Sequence, residues 1–489
     1  MKKSKVIITV ILSVLIIISP LITLLCTVLF TPKTYSDTFV GALDEKFERL
    51  NSVEGAKVVV VGGSSVAFGI DSALMEEHLG MPVVNFGLYA ALGTKAMLDL
   101  SLSGISAGDI VVLSPELDRQ TLSMYFSSEH MLEALDDDYS MARYIRGDNK
   151  LALLGGAFKQ ATKKLSYLRS GLPSPEGVYN SSSLNEYGDV KYEMLDDSGD
   201  MLWERRENVM QLYYDPATPI ELVPDIVESE FIDYLNEYIS ICKRRGATVY
   251  FSWCPMNRLA LSEEIGAEGI SLFVDFMESS IDCEFISYID SYIIDEGYFY
   301  DTNYHLNEAG VLLRSKTLTE DILIAEGRFT SVGITVPDAP ALPELDVKFL
   351  CEDENSKYFT YEKMKNGALM ITGLTDEGKM QKTLTIPLGA EHYKVTAIGE
   401  RAFSGGAAER IIVSADTNIR NFLDGSFADC LVTDLYIYYD FTDEAEKLAP
   451  ASNFFGINIH VPKNSQYLTH YDWKDTSGGY DMIADINKE

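Results

Sequence analysis

The stretch VVVVGGSSVAFGID, residues 58–71, begins with four valines and then turns, at two glycines, into two serines. A short run of β-branched residues that ends in glycine predicts a buried strand followed by a tight turn. Two interpretations of the serines are open. Glycine and serine are common turn residues in any fold. Alternatively, one serine is a nucleophile at the carboxyl edge of a parallel sheet, where open α/β folds bind their ligands.

The segments around this stretch alternate between strand and helix patterns. PVVNFG and DIVVLSPE are further strand candidates, and the helix candidates DSALMEEHLG and AALGTKAMLDLSLSG lie between the strands. Later in the chain, the amphipathic segment FIDYLNEYISICKRRG precedes another strand candidate, ATVYFSWCPM. This order predicts an α/β domain with a parallel sheet and helices on both faces. We expect it to span residues 33–330, with an insertion at about 120–225 that covers the active site.

The pattern changes after a proline-rich segment, residues 331–346, which we interpret as a semi-rigid linker. The strand candidates LTIP, IIVS, LYIY and INIHVP then recur every 22 to 27 residues, which is the period of leucine-rich repeats. The unit YKVTAIGERAFSGG resembles the BspA-type leucine-rich repeats of bacterial surface proteins. We therefore expect residues 347–489 to form a small β-rich repeat domain with Phe403 and Phe427 in its core.

An apolar run at the amino terminus, residues 6–30, carries no charge and is long enough to cross a bilayer as a helix. Three lysines precede it and acidic residues follow it, so the positive-inside rule places the amino terminus in the cytoplasm and the bulk of the chain outside the cell. A cleaved signal peptide is the alternative, although the run is longer than usual for one. The leucine before Cys26 argues against a lipoprotein anchor. The sequence predicts one transmembrane anchor, residues 1–32.

The charge and the cysteines exclude other classes of partner. A formal net charge of −34 disfavours nucleic acid and anionic lipid surfaces, because like charges repel. Six cysteines are too few for a disulfide framework in a chain of 489 residues, and none are spaced as a zinc-binding pair. We expect no structural metal and no nucleic-acid partner.

A serine nucleophile needs a nearby base, and histidine is the usual one. The chain has six histidines, three of them in the repeat region, which leaves His78, His130 and His305. His78 fits a surface position on a helix, and His130 has no evident acid to orient it. His305 follows Asp301 by four residues, and an acid at that distance can hold the imidazole in the tautomer that catalysis requires. Elimination favours His305, with Asp301 as its partner.

Three blocks together resemble the SGNH/GDSL hydrolase superfamily, in particular its membrane-anchored members related to the D-alanyl-lipoteichoic acid protein DltD and the alginate acetylation proteins. The blocks are GGSSVAFGIDS, VVNFGLYAALG and FYDTNYHLNEAG, and the similarity covers about residues 57–325. The resemblance implies a flavodoxin-like three-layer sandwich and chemistry without a metal or organic cofactor. It also implies that the Gly87 N–H donates to the oxyanion and that Asp301 and His305 are the acid and the base.

The chain departs from the superfamily pattern at the nucleophile and at the spacing of acid and base. If Gly62 ends the strand, Ser64 is the nucleophile, and if Gly63-Ser64-Ser65 replaces G-D-S, it is Ser65. The geometry of a strand end favours Ser64. Three residues rather than two separate the acid from the base, and without contact between them they form a less efficient dyad.

The chain also lacks the G-x-N-D block of the superfamily. Glu116 stands where an amide donor is expected, and a carboxylate repels an oxyanion unless it is protonated. The second oxyanion donor is then Asn85 or the N–H of the nucleophile itself.

The resemblance implies an extracellular, membrane-tethered serine esterase or O-acyltransferase. It acts through an acyl-serine on ester groups of a cell-envelope polysaccharide, a teichoic-acid-like polymer or another acylated carbohydrate, and a membrane protein that supplies acyl groups is a candidate partner. The alternative is a non-catalytic cell-surface protein that binds or adheres through its leucine-rich repeats.

Overall fold

The structure, a computed structural model, describes residues 33–439 with short gaps, residues 456–465 except 464, the backbone of 482–486, and positions 19, 20, 23, 27 and 29. The gaps are 137, 171–176, 196–198, 200, 208, 211, 263–264, 329–330, 343–345, 352, 418, 420 and 424. Within these described ranges, no helix has the length and apolar character needed to cross a membrane. The predicted membrane helix, residues 6–30, falls outside them except at the five positions before residue 33.

Short strands and longer helices alternate along the first part of the chain, and strands dominate the last part. The strands are β1 (Val58–Gly62), β2 (Val83–Gly87), β3 (Ile110–Leu113), β4 (Glu193–Leu195), β5 (Met201–Glu204), β6 (Thr248–Phe251), β7 (Met256–Asn257), β8 (Glu284–Phe285), β9 (Ile293–Ile294), β10 (Phe359–Lys363), β11 (Leu369–Leu374), β12 (Thr383–Thr385), β13 (Gly389–Ala390), β14 (Tyr393–Ile398), β15 (Arg410–Val413), β16 (Asn421–Phe422), β17 (Asp434–Ile437), β18 (Asn458–Pro462) and β19 (Met482–Ile486). The α-helices are α1 (Leu43–Ser52), α2 (Ser64–Ala67), α3 (Ser72–Leu79), α4 (Thr94–Ser101), α5 (Ser128–Ala134), α6 (Asn149–Ser170), α7 (Ser229–Arg244), α8 (Gly266–Ser280), α9 (Glu308–Ala325) and α10 (Asp376–Lys379).

Five strands form a parallel sheet in the order β2-β1-β3-β6-β8. The predicted α/β class with a parallel sheet is confirmed. From β1 the chain crosses to β2 on one side and then returns to β3 on the other side. The strand order therefore reverses at β1 and β3, and the crevice at the carboxyl ends of such strands is where open α/β sheets bind ligands.

Both faces of this sheet are covered, because alternate residues of each strand point into different cores. Val59 and Val61 of β1 belong to the larger core, whereas Val58 and Val60 belong to a second one. Side chains of α3 and α9, such as Met75 and Leu318, complete the second core. The valine run that opens the sequence thus forms a central strand with a helix layer on each side.

The connection between β3 and α7, residues 114–228, is much longer than a usual crossover. It carries α5, α6 and the antiparallel hairpin of β4 and β5. The insertion predicted at about 120–225 lies within this connection.

The predicted linker begins as a packed segment. Val332 and Ile334 are 7% and 6% exposed and lie in the second core with side chains of α3 and α9. The first part of residues 331–346 therefore belongs to the parallel-sheet domain, which continues past residue 330.

Five strands of the repeat region form a parallel sheet in the order β12-β15-β17-β18-β19, and β10, β11, β13, β14 and β16 form a second, mixed sheet. Paired residues on neighbouring strands, such as Ile411 and Leu435, are 24 positions apart, as the repeat spacing predicts. Phe403 and Phe427 are buried, and their ring centroids stack 5.0 Å apart. Their predicted place in the core is confirmed.

Candidate active site

The two candidate serines lie where β1 ends. Gly62 is the last residue of the strand, and α2 begins at Ser64. Ser64 is half-buried, whereas Ser65 is fully buried and its Oγ makes no hydrogen bond with a described residue. Solvent therefore reaches Ser64 but not Ser65.

The backbone of Ser65 is held from two sides. Its N–H donates to Glu116 Oε1 at 2.6 Å, and its carbonyl accepts from Arg314 Nη1 at 2.5 Å. Arg314 is itself buried in α9 and also donates to Ser114 Oγ at 2.8 Å. These bonds fix the turn that presents Ser64.

Glu116 follows β3 and lies directly against the serine turn. A Cβ atom at Gly63 would come within 2.3 Å of Glu116 Oε2, so a larger residue there would displace the carboxyl group from this position. Oε2 is buried and accepts no hydrogen bond from a described residue. Burial raises the pKa of Glu116, which favours the protonated form. Because Oε2 lies inside the protein, we do not expect it to contact an oxyanion formed at Ser64.

The raised pKa of Glu116 predicts how stability depends on pH. Above the ordinary value of 4.5, the folded state keeps a proton that the unfolded chain releases, so the free energy of unfolding falls as the pH rises through this range. Glu116→Gln keeps an oxygen for the Ser65 N–H and removes the titration. Above pH 4.5, we expect the unfolding free energy of Glu116→Gln to fall less steeply than that of the parent. The two slopes should differ by at most about 1.4 kcal/mol per pH unit.

Urea unfolding at several pH values measures this difference. The exposed Glu54→Gln is the control and should follow the parent. A Glu116→Gln profile parallel to that of the parent would contradict the assignment.

Asp301 and His305 are in contact. Asp301 Oδ1 lies 2.8 Å from His305 Nδ1, and both side chains are mostly buried, with 9% and 13% exposed. Thr302 Oγ1 accepts the His305 N–H at 3.0 Å, which tightens the loop. The extra residue between acid and base therefore does not separate them. With Nδ1 bonded to the carboxylate, Nε2 is the nitrogen left for proton transfer.

The His305 ring stacks on Phe68, with 4.2 Å between centroids and 7° between planes. Phe68 follows Ser64 by one helical turn, and its N–H donates to the Ser64 carbonyl at 2.9 Å. This contact brings the Asp301–His305 pair next to the serine turn. The hydrogen bonds of the described residues do not include one between Ser64 Oγ and His305.

Arg205, which lies in the insertion, connects the segment after Ser64 with the segment after His305. Its buried guanidinium donates to Phe68 O at 2.9 Å and to Leu306 O at 2.5 Å. It also donates to the carbonyls of Val190 and Lys191, at 2.5 and 3.0 Å. One side chain thus bridges the residues that follow the serine and the histidine.

Loss of Arg205 is expected to destabilise the fold. Arg205→Leu removes the donor from four carbonyls, those of Phe68, Leu306 and Val190 in buried bonds and that of the exposed Lys191, and we expect a loss of about 3–5 kcal/mol in the free energy of unfolding. The neighbouring Arg206 is 40% exposed and pairs with Glu308, so Arg206→Leu is the matched control, with an expected loss within about 1 kcal/mol. Equal urea midpoints for the two variants would show that Arg205 is not a bridge.

Gly87 lies beside the serine turn, as its predicted role requires. It pairs with Gly62 across the sheet, and a Cβ atom at Gly87 would come within 2.5 Å of Gly63 O. Its N–H donates to Asn85 Oδ1 at 3.1 Å. The oxyanion role of Gly87 remains a prediction, and it requires the N–H to exchange this acceptor for the substrate.

Asn85 is buried in a polar network. Its Nδ2 donates to Val66 O at 2.9 Å and to Asp189 Oδ1 at 2.8 Å, and its Oδ1 accepts from Lys46 Nζ at 3.1 Å. Burial lowers the pKa of Lys46 to about 7. Both amide hydrogens of Asn85 are used, so it could donate to an oxyanion only by breaking one of these bonds. In this arrangement Asn85 joins the insertion, through Asp189, to the sheet.

The other two candidate histidines lie on helices α5 and α3. His130 Nδ1 lies 2.9 Å from Ser127 Oγ at the start of α5, and His78 is half-buried on α3. A cavity of about 300 Å³ opens beside Arg205, and its lining includes neither Ser64 nor His305. Among the described residues, no group of three His, Cys, Asp or Glu side chains is placed to hold a metal ion.

Three residues that support the site were not predicted from the sequence for these roles. Arg205 and Arg314 fix the serine turn and the histidine loop, and Phe68 supports the imidazole. The sequence does contain one signal for Phe68. It follows Ser64 by four positions, and residues four apart on a helix lie on the same face.

Comparison with known proteins identifies no family: no family model matches the chain, and no curated protein matches it.

Proposed function

We propose that this chain is a serine esterase or O-acyltransferase of the SGNH/GDSL type, with Ser64 as nucleophile, His305 as base and Asp301 as the residue that orients the base. One observation carries the proposal: the His305 ring, paired with Asp301 through Nδ1, stacks on Phe68 one turn after Ser64. The sheet order, in which the first strand lies between the second and the third, is the flavodoxin-like order and supports the fold part of the proposal.

The reaction is a double displacement. His305 Nε2 removes the proton of Ser64 Oγ, and the oxygen attacks the ester carbonyl. The alcohol leaves with the proton from His305, and an acyl-serine remains. Water or a sugar hydroxyl then gives its proton to His305 and attacks the acyl carbon. His305 returns the proton to Ser64 Oγ as the acyl–oxygen bond breaks, which regenerates Ser64. Catalytic hydrogen bonds are often long before substrate binds, and the proposal requires Ser64 Oγ and His305 Nε2 to come within hydrogen-bond distance in the complex with substrate.

The developing oxyanion needs N–H donors at the serine turn. The Ser64 N–H has no acceptor among the described residues, because Ser64 is the first residue of α2. The Gly87 N–H lies at the adjacent strand end and is the second donor of this proposal. Glu116 supports the turn from inside and does not contact the substrate.

The proposed substrate is an ester of a cell-envelope polymer, such as an acylated polysaccharide or a teichoic-acid-like polymer. The apolar run at residues 6–30 supports a membrane tether, with the bulk of the chain outside the cell. A tethered enzyme acts on substrates that stay near the membrane. BspA-type repeats in the carboxyl-terminal domain are consistent with a protein of the cell surface.

Hydrolysis of p-nitrophenyl acetate by the purified full chain tests the ester chemistry. We expect measurable turnover that His305→Ala removes, whereas His78→Ala, at a half-buried position on α3, keeps it. Equal rates in the parent and His305→Ala would contradict the proposed base.

A non-catalytic surface protein is the second candidate, and a specific observation favours it. The predicted oxyanion donors Gly87 and Asn85 both use their N–H groups in internal hydrogen bonds. If the parent does not hydrolyse the ester and no serine reacts with an acylating probe, binding through the repeat domain becomes the preferred function.

A further inference from the structure

Helix α6 carries large apolar side chains on its outward face. Leu151, Leu154 and Phe158 are 67%, 73% and 58% exposed. At about 100° per residue, these three lie within about 60° of one another on the helix. The opposite side carries Leu153 and Lys164, which are buried against the domain. Exposed apolar residues that cluster on one helix face mark an interaction surface.

The charges of α6 differ from those of the whole chain. The helix contains five basic residues and no acidic one, whereas the chain has 74 acidic and 40 basic residues. Lys163 and Lys164 pair inward with Glu133 and Asp136. Lys150 and Arg169 are exposed, and Lys159, although it pairs with Glu129, is 69% exposed. An apolar stripe flanked by basic side chains is the pattern of helices that lie on anionic membranes.

Leu29, which belongs to the apolar run of residues 6–30, lies beside this helix. Lys164 Nζ donates to Leu29 O at 2.9 Å, and Leu29 is the last residue but one of the run. Asp136, the partner of Lys164, also accepts the Thr34 N–H at 2.7 Å. If the run is embedded in a bilayer, the end of α6 that carries Lys164 lies near the lipid surface. Lys164 is on the inward side of the helix, so the choice of face rests on the exposed apolar and basic side chains described above.

We propose that the outward face of α6 lies on an anionic lipid bilayer, with Leu151, Leu154 and Phe158 in the acyl boundary and the basic residues among the headgroups. The net charge of −34 predicts that most of the surface is repelled by such a membrane. The local excess of positive charge on α6 makes this helix the exception and fixes the face that the protein turns toward the lipid.

Tryptophan quenching by lipids with brominated acyl chains tests the contact in the full chain. Phe158→Trp places an indole in the proposed face, and Leu272→Trp, at the 60% exposed position on α8, is the control. The fluorescence of the parent, which has three tryptophans of its own, is subtracted from that of each variant. In vesicles that contain phosphatidylglycerol, we expect the added fluorescence of Phe158→Trp to fall at least about twofold, because helices of this type insert about 5–10 Å. The control should not change.

Equal quenching of the two variants would overturn the proposal. Quenching that is as strong in pure phosphatidylcholine would remove the anionic requirement and would also overturn it as stated. A third outcome would also overturn the proposal. If neither brominated lipid nor acrylamide quenches the indole of Phe158→Trp, and the chain sediments as a dimer, the outward face of α6 binds a second copy of the chain instead. The experiment measures tryptophan fluorescence and not ester hydrolysis, so its result is independent of the proposed ester chemistry.

Discussion

Ser64→Ala is expected to lower kcat/KM for p-nitrophenyl acetate by about 10⁴-fold or more, because it removes the proposed nucleophile while the rest of the site remains. Ser65→Ala is the matched control at the neighbouring position. Ser65 Oγ is buried and makes no hydrogen bond with a described residue, so its loss should leave the rate within about threefold and stability within about 1 kcal/mol.

The two variants separate the alternatives that the sequence leaves open. A large loss in Ser65→Ala with an unchanged Ser64→Ala would reverse the assignment of the nucleophile. A large loss in both, with normal urea unfolding, would show that the turn depends on both hydroxyls and would contradict a passive role for Ser65.

Asp301→Asn is expected to lower kcat/KM by about 10⁴-fold at neutral pH without a change in fold. Asp301 Oδ1 lies 2.8 Å from Nδ1, and because a carboxylate can only accept, it favours the tautomer of His305 with the proton on Nδ1. An amide in its place can donate to Nδ1, and the proton then moves to Nε2, which can no longer accept the proton of Ser64. Initial rates of ester hydrolysis across a pH series measure the effect.

Asp290→Asn, at an exposed position before the same loop, is the control and should keep the parent rate. If Asp301→Asn retained most of the activity, His305 would act without an orienting carboxylate, and the pair would have to be described as structural.

The central sheet could be predicted because its signals are local. Four consecutive valines followed by glycine indicate a buried strand that ends in a turn, and the alternation with helical segments indicates a parallel sheet. The repeat strands were predictable for a similar reason, since their spacing is regular along the chain. The packing of Val332 and Ile334 could not be predicted, because the three prolines nearby indicate a linker. No local signal shows that this extended segment packs against a core.

The site was predictable only in part. Asp301 and His305 are four residues apart, so their pairing can be read from one segment. The hydrogen bond from Arg314 to Ser65 joins residues 249 positions apart, and that from Arg205 to Phe68 joins residues 137 apart. A single sequence contains no signal for such contacts.

Glu116 illustrates the same difficulty at a single side chain. Its place after β3 is evident from the sequence, which predicts that its charge opposes an oxyanion. Burial of Oε2, the bond from the Ser65 N–H and the absence of a side chain at Gly63 place it behind the turn instead. These features depend on how β1 and β3 pack together, which the order of residues does not specify.

Covalent labelling of the full chain with a fluorophosphonate, followed by mass spectrometry of the peptide that contains residues 58–71, tests the central claim most directly. We predict one adduct on Ser64 in the parent and in Ser65→Ala, and none in Ser64→Ala or His305→Ala. An adduct on Ser65, labelling that does not depend on His305, or no labelling of any serine would contradict a catalytic Ser64 activated by the Asp301–His305 pair.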